Sequence, residues 1–151
     1  MKKHIFLYIA FIFVTVGCKK EIPPTTTPAR EVTKPSYTKT ECYFYDANGN
    51  KIELQLQYND EEITGILNYT LLEKDKNTGT IKGKIENNIL LAEYTFQSEG
   101  MQSTRQVAFQ FIDNKLVEGY GEMNDDGTHF KDVTKLKFTS NMPLSKVDCS
   151  E

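Results

Sequence analysis

From Glu41 onward the chain is interrupted roughly every dozen residues by Asn, Asp and Gly, a spacing that leaves room for short strands and little else. The breaks fall at Asn48-Gly49, Asn59-Asp60, Lys76 to Gly79, Asn87-Asn88, Ser98 to Gly100, Asp113-Asn114 and Asp126-Gly127. Asn-Gly is the strongest short-range hairpin signal, because both of its residues tolerate positive φ. Between the breaks apolar and polar residues alternate, as in Ile52, Leu54, Leu56 and Tyr58. No long segment carries a helical period. Residues 41–151 therefore read as an all-β domain of eight antiparallel strands in an up-and-down meander.

Facing residues test that reading. Turns placed centrally set Ile52, Leu54, Leu56 and Tyr58 opposite Tyr69, Leu67, Gly65 and Ile63. They set Ile81 and Ile85 opposite Tyr94 and Leu90, and Val107, Phe109 and Phe111 opposite Gly121, Gly119 and Val117. Leu71, Phe96, Leu136 and Phe138 continue the same apolar face. A slip of one residue would turn every apolar side chain outward, so the agreement is informative. The outer face then pairs Glu118 with Lys135, Glu122 with Lys131 and Lys82 with Glu93, and Phe109 is expected to cover Gly119. One apolar face must be buried. Closure into a small barrel achieves this and removes the edges, and a two-sheet β-sandwich is the alternative.

The start of the chain has a different grammar. Met1-Lys2-Lys3-His4 precedes the apolar run Ile5 to Val16, then Gly17-Cys18. A basic segment and about a dozen apolar residues form a signal peptide layout, shorter than the roughly 20 residues of a membrane span. Thr15-Val16-Gly17-Cys18 resembles the lipobox of bacterial lipoproteins, with Thr15 where that family usually has Leu. The resemblance implies removal of residues 1–17 and acylation of Cys18, palmitate included, which anchors the protein to a membrane of the cell envelope. Lys19 after that cysteine resembles the pattern of outer-membrane sorting. Residues 18–40 then form a tether: four of the five prolines (Pro23, Pro24, Pro28, Pro35) lie there among threonines. Proline fixes φ and removes donors, so an extended, semi-rigid spacer is expected.

Charge and cysteine follow the same division. Residues 41–151 hold 11 Lys and Arg against 19 Asp and Glu, a net of −8. An acidic domain argues against nucleic acid, which selects basic patches. Cys42 and Cys149 bracket the domain in an exported chain, and a disulfide between them is expected.

The barrel resembles the calycin-like group, including lipocalin-type ligand binders, in architecture over residues 41–139. The stretches Glu73 to Gly83, Tyr94 to Gly100 and Glu118 to Gly121 resemble a group of Gram-negative envelope lipoproteins that brings no activity with it. No catalytic pattern is present. His129 is the one histidine after the leader and sits beside the Asp126-Gly127 turn, where a solvated hairpin residue is the simplest reading. Asp46-Ala47-Asn48-Gly49-Asn50 opens like a calcium loop, but its glycine is one place early and Gln57 stands where the bidentate Glu belongs. No metal, cofactor or enzymatic activity is expected. The face expected to point inward carries Tyr43, Tyr45, Tyr58, Tyr69 and Tyr94 beside Gly65, Gly83, Ala92, Gly119 and Gly121. That set suits a cavity for a small apolar or amphipathic ligand, and equally a filled core. Arg105, the domain's only arginine, lies near the Ser98–Gly100 turn, either contacting a ligand or partner at the barrel mouth or bracing the hairpin with Glu99. The expected function is thus a monomeric, membrane-anchored binding module. The alternative is a protein-interaction module, such as an inhibitor of a basic, lysozyme-like enzyme that attacks the envelope.

Overall fold

The computed structural model describes residues 39–60 and 62–149. The expected signal peptide, Cys18 and the tether up to residue 38 lie outside the described residues. Eight antiparallel strands follow one another around a closed barrel: β1 (Lys39–Ala47), β2 (Asn50–Asn59), β3 (Glu62–Thr70), β4 (Asn77–Glu86), β5 (Ile89–Ser98), β6 (Met101–Ile112), β7 (Lys115–Gly119) and β8 (Leu144–Val147). β1 pairs with both β2 and β8, so the sheet has no free edge. The sandwich alternative is set aside. Lys39 and Thr40, assigned to the tether on sequence, already belong to β1.

Two-residue turns with positive φ at both positions make four of the hairpins: Asn48-Gly49 (53° and 76°), Asn87-Asn88 (49° and 66°), Glu99-Gly100 (49° and 77°) and Asp113-Asn114 (45° and 62°). These mirror-image turns match the twist of the strands they join. The calcium-like stretch at Asp46–Asn50 is therefore the β1–β2 hairpin turn. The break expected at Lys76–Gly79 falls earlier, over residues 71–76, and Asn77 already starts β4.

The register matches expectation across β2–β3 and β4–β5: Ile52 faces Tyr69, Leu56 faces Gly65, Ile81 faces Tyr94 and Ile85 faces Leu90. Across β6–β7 it is displaced by one residue. The Asp113-Asn114 turn spans only two residues, so Ile112 pairs with Lys115 and Phe109 faces Glu118 rather than Gly119. Glu118 thereby turns inward, away from Lys135, which pairs instead with Asp132 at 3.2 Å. Gly119 turns outward beneath Phe138, whose ring would lie 2.5 Å from a Cβ at that position. Phe138 covers this glycine in place of Phe109.

The eighth strand is also displaced. Residues 120–143 leave the barrel wall as an excursion with bridges Tyr120–Lys137 and Met123–Phe130 and a short 3-10 turn at Val133–Lys135. Within it Glu122 and Lys131 form the expected ion pair at 2.6 Å. The closing strand is the C-terminal Leu144–Val147, paired to β1 over three residues and to β7 over two. A disulfide joins Cys42 to Cys149 across that seam. Strands, core and disulfide all come from residues 39–149, so the barrel is complete in itself.

Ile52, Leu54, Leu56, Leu67, Ile81, Leu90, Tyr94, Phe109, Leu116 and Leu144 are fully buried and fill the middle of the barrel. The inward glycines leave no space there. A Cβ on Gly65 would lie 2.1 Å from the Gln55 carbonyl oxygen, and one on Gly83 would lie 2.1 Å from that of Leu91. Neighbouring backbones have closed onto these positions, which is how a small barrel coils tightly.

The end of the barrel where β1 begins is closed by a charged knot. Glu41, 6% exposed, accepts from the Tyr43 hydroxyl at 2.9 Å and the Tyr58 hydroxyl at 2.7 Å, and it pairs with Lys39 at 2.7 Å and with Lys146 of β8. Burial alone would push this carboxyl up. Lys146, Lys39 and the two hydroxyls outweigh it and pull the pKa down to about 2, from 4.5. A depressed carboxylate stabilises the fold above its unfolded pKa and ceases to do so as pH falls through the folded value. Stability is therefore expected to decline between about pH 4.5 and pH 2. Glu41→Gln should cost roughly 1–3 kcal/mol at pH 7 and flatten that decline. Urea unfolding at pH 7, 4 and 2.5 measures both, and an unchanged acid limb in the variant would mean that other carboxylates carry it.

Candidate functional site

A depression of about 550 Å³ borders the Glu41 knot, where Glu41, Tyr43, Tyr58 and Lys146 are already paired with one another. The opposite end of the barrel differs in holding charged groups without such partners. It collects the C-terminal half of β3, the start of β6 and the end of β7, and the excursion lies against it. A cleft of about 550 Å³ runs there, walled by Leu71, Val107, Met123, Phe130 and Met142, with Arg105, Lys74, Glu118 and Asp75 supplying charge of both signs. This volume falls in the range of small-molecule sites.

Its polar floor arises from alternation. Tyr69, Arg105 and Glu118 are inward positions of β3, β6 and β7, brought together because each strand ends at this side. The Tyr69 hydroxyl donates to Glu118 Oε1 at 2.8 Å and that of Tyr120 to Oε2 at 3.3 Å. Burial pushes the Glu118 carboxyl up, and Tyr69, Arg105 and Tyr120 oppose it without cancelling it. Tyr69 is itself raised well above its usual value, by burial first and then by the neighbouring Glu118.

Arg105 lies opposite Tyr94 and its guanidinium sits over three rings, 5.8 Å from Tyr69, 5.8 Å from Tyr94 and 5.4 Å from Phe96. Tyr94 and Phe96 stack at 4.8 Å beneath it. A cation over several ring faces gains about 0.5–2 kcal/mol per good contact, depending on desolvation. Among the described residues no carboxylate lies within ion-pairing distance of Arg105 or Lys74. Arg105 does not brace its hairpin with Glu99. It belongs to the floor of the cleft.

The six side chains singled out on sequence therefore separate. Tyr69, Tyr94 and Arg105 converge at the cleft end. Tyr43 and Tyr58 are held at the other end by Glu41, and Tyr45 is half-buried against the core. The Tyr94 hydroxyl donates to the Leu67 carbonyl at 2.9 Å, and the fully buried ring supports Arg105 from below without lining the cleft. Glu118 and Tyr120 were missed. A two-residue reading of Asp113-Asn114 would have turned Glu118 inward and found it. His129 lies outside the cleft and faces Glu93 of β5, its Nε2 3.2 Å from the carboxylate, rather than the turn aspartates.

Comparison with protein-family models, with curated proteins and with solved structures finds no match for this chain.

Proposed function

We propose that this protein is a lipid-anchored, non-enzymatic lipoprotein of the cell envelope, sorted to the outer membrane. Its barrel binds a small amphipathic ligand at the cleft end, and the tether and acylated Cys18 hold it to the membrane. The observation that carries the binding reading is the cleft itself, with apolar walls, an arginine on an aromatic bed and a buried carboxyl in one space of about 550 Å³. The filled mid-section favours a ligand lying across the mouth over one swallowed along the axis. β1 starts at the end of the barrel opposite the cleft. The anchor rests on the Thr15-Val16-Gly17-Cys18 pattern and the basic and apolar run before it.

The full chain, produced in a Gram-negative host with labelled palmitate, tests both halves. The label should enter the wild-type membrane fraction and be absent from Cys18→Ser. Native mass spectrometry of the purified protein should show an added mass that leaves on denaturation. Label retained in Cys18→Ser would defeat the anchor. A bare mass that no hydrophobic extract can shift would defeat the ligand reading. It would favour the second reading, capture of a basic lysozyme-like enzyme, which the −8 charge of residues 41–151 supports.

A further inference from the structure

The geometry points to an anionic ligand: we infer that the cleft selects an amphiphile or aromatic molecule whose carboxylate, sulfonate or phosphate group docks on the edge of Arg105, with Lys74 as the second cation. This inference rests on the cleft being the binding site and adds the charge of what it takes.

A guanidinium carries five N–H donors in one plane. The Arg105 guanidinium carbon lies 5.4 to 5.8 Å from the ring centres of Tyr69, Tyr94 and Phe96, neighbours that surround the cation without supplying a charged partner. No hydrogen bond or ion pair from its N–H groups to a described residue is found, although the side chain is half-buried. The Arg105 donors are not among the buried atoms left without a partner, so water reaches them until a ligand displaces it. A bidentate anion matches the fork of N–H groups best and gains a charge-assisted pair in a partly desolvated site.

Glu118 is the obvious objection, since its carboxylate shares the cleft and would repel an anion. Both of its oxygens already accept from tyrosine hydroxyls, at 2.8 Å and 3.3 Å, and it forms no ion pair with Arg105. Its charge is directed into the barrel wall, and burial favours its neutral form. Lys74 lines the same cleft from the β3–β4 loop with Asp75 beside it, so Arg105 is the cation seated on the floor and Lys74 an exposed one at the rim. Leu71, Val107, Met123, Phe130 and Met142 supply the apolar wall for the rest of such a molecule.

Two fluorescent probes of nearly one shape separate charge from apolar contact. They are 8-anilino-1-naphthalenesulfonate and the uncharged N-phenyl-1-naphthylamine. Residues 33–151 contain the complete barrel and can be titrated with each. The sulfonate is expected to bind one saturable site about tenfold more tightly than the neutral probe. Arg105→Gln should remove that preference by weakening the sulfonate about tenfold more than the neutral probe, Lys74→Gln should reduce it about threefold, and Arg105→Lys should restore part of it. If Arg105→Gln alters folding, Lys74→Gln on the exposed loop still decides the question. Equal binding of the two probes, insensitive to both substitutions, would overturn the anion inference and leave the cleft as a ligand site. Failure of both probes to saturate would overturn the cleft reading along with it.

Discussion

Replacing Cys42 and Cys149 together by serine is expected to cost about 3–5 kcal/mol, a large share of the roughly 5–15 kcal/mol that holds a domain of this size together. The bond closes a separation of 107 residues. Loops of that length lose close to the maximum entropy that a cross-link can remove from the unfolded chain, about 4–5 kcal/mol in the chain-entropy account. Its position adds a second effect. β8 contributes four residues, paired to β1 over three and to β7 over two, and of these only Leu144 is fully buried. This is the weakest seam of the barrel and the disulfide lies across it. Loss of the bond should lower the urea midpoint sharply and speed amide exchange in β1 and β8 before β3, β4 and β5. Lys146 leaves with β8, so the Glu41 knot loosens in the same event. A loss below about 1 kcal/mol, with uniform exchange around the barrel, would show that strand pairing alone closes the seam.

Where the fold was legible, local chemistry and burial agreed. Asn59-Asp60 and Asn87-Asn88 mark the breaks that join these strands, and the strands beside them alternate cleanly, so β2–β3 and β4–β5 could be aligned residue by residue. Legibility stopped after Phe111. Val117, Gly119 and Gly121 share one parity of β7 and its continuation while Leu116, Glu118 and Tyr120 share the other, so pairing Phe109 with Gly119 kept the charged Glu118 outside. A carboxylate facing inward is an outcome that patterning argues against, and only the Tyr69 and Tyr120 hydroxyls make it tolerable. The excursion misled for a related reason. Leu136 and Phe138 alternate like a strand, yet they cover Gly121 and Gly119 from the outside instead of filling the interior. β8 has almost no pattern to read, having one inward apolar residue and a lysine. The candidate site suffered most because it depends on β7. Arg105 and Tyr69 could be picked out as residues, but their meeting with Glu118 could not.

Gly65→Ala is expected to be among the most damaging single substitutions in the barrel, although it adds one methyl group to an apolar face. On sequence, Gly65 and Gly83 pointed to spare volume inside, and spare volume is what a ligand cavity in the barrel axis would require. The structure uses these glycines in the opposite way. At Gly65 the new Cβ would lie 2.1 Å from the Gln55 carbonyl oxygen and 3.3 Å from Ile81 Cγ1. The nearest atom is backbone in a paired strand, so no side-chain rotation can relieve the clash. β2 would have to move away from β3, breaking ladder bonds beside the fully buried Leu54, Leu56 and Leu67. Overpacking of a core side chain costs about 1–3 kcal/mol, and a forced backbone shift should reach or exceed the upper end of that range. An unfolding titration of the variant measures this directly. A variant as stable as wild type would mean that room exists at the centre of the barrel, and the ligand site would then extend inward from the mouth. A severe loss places the glycines in the service of curvature and leaves the cleft end, with Arg105 on its aromatic bed, as the place where this barrel can hold a guest.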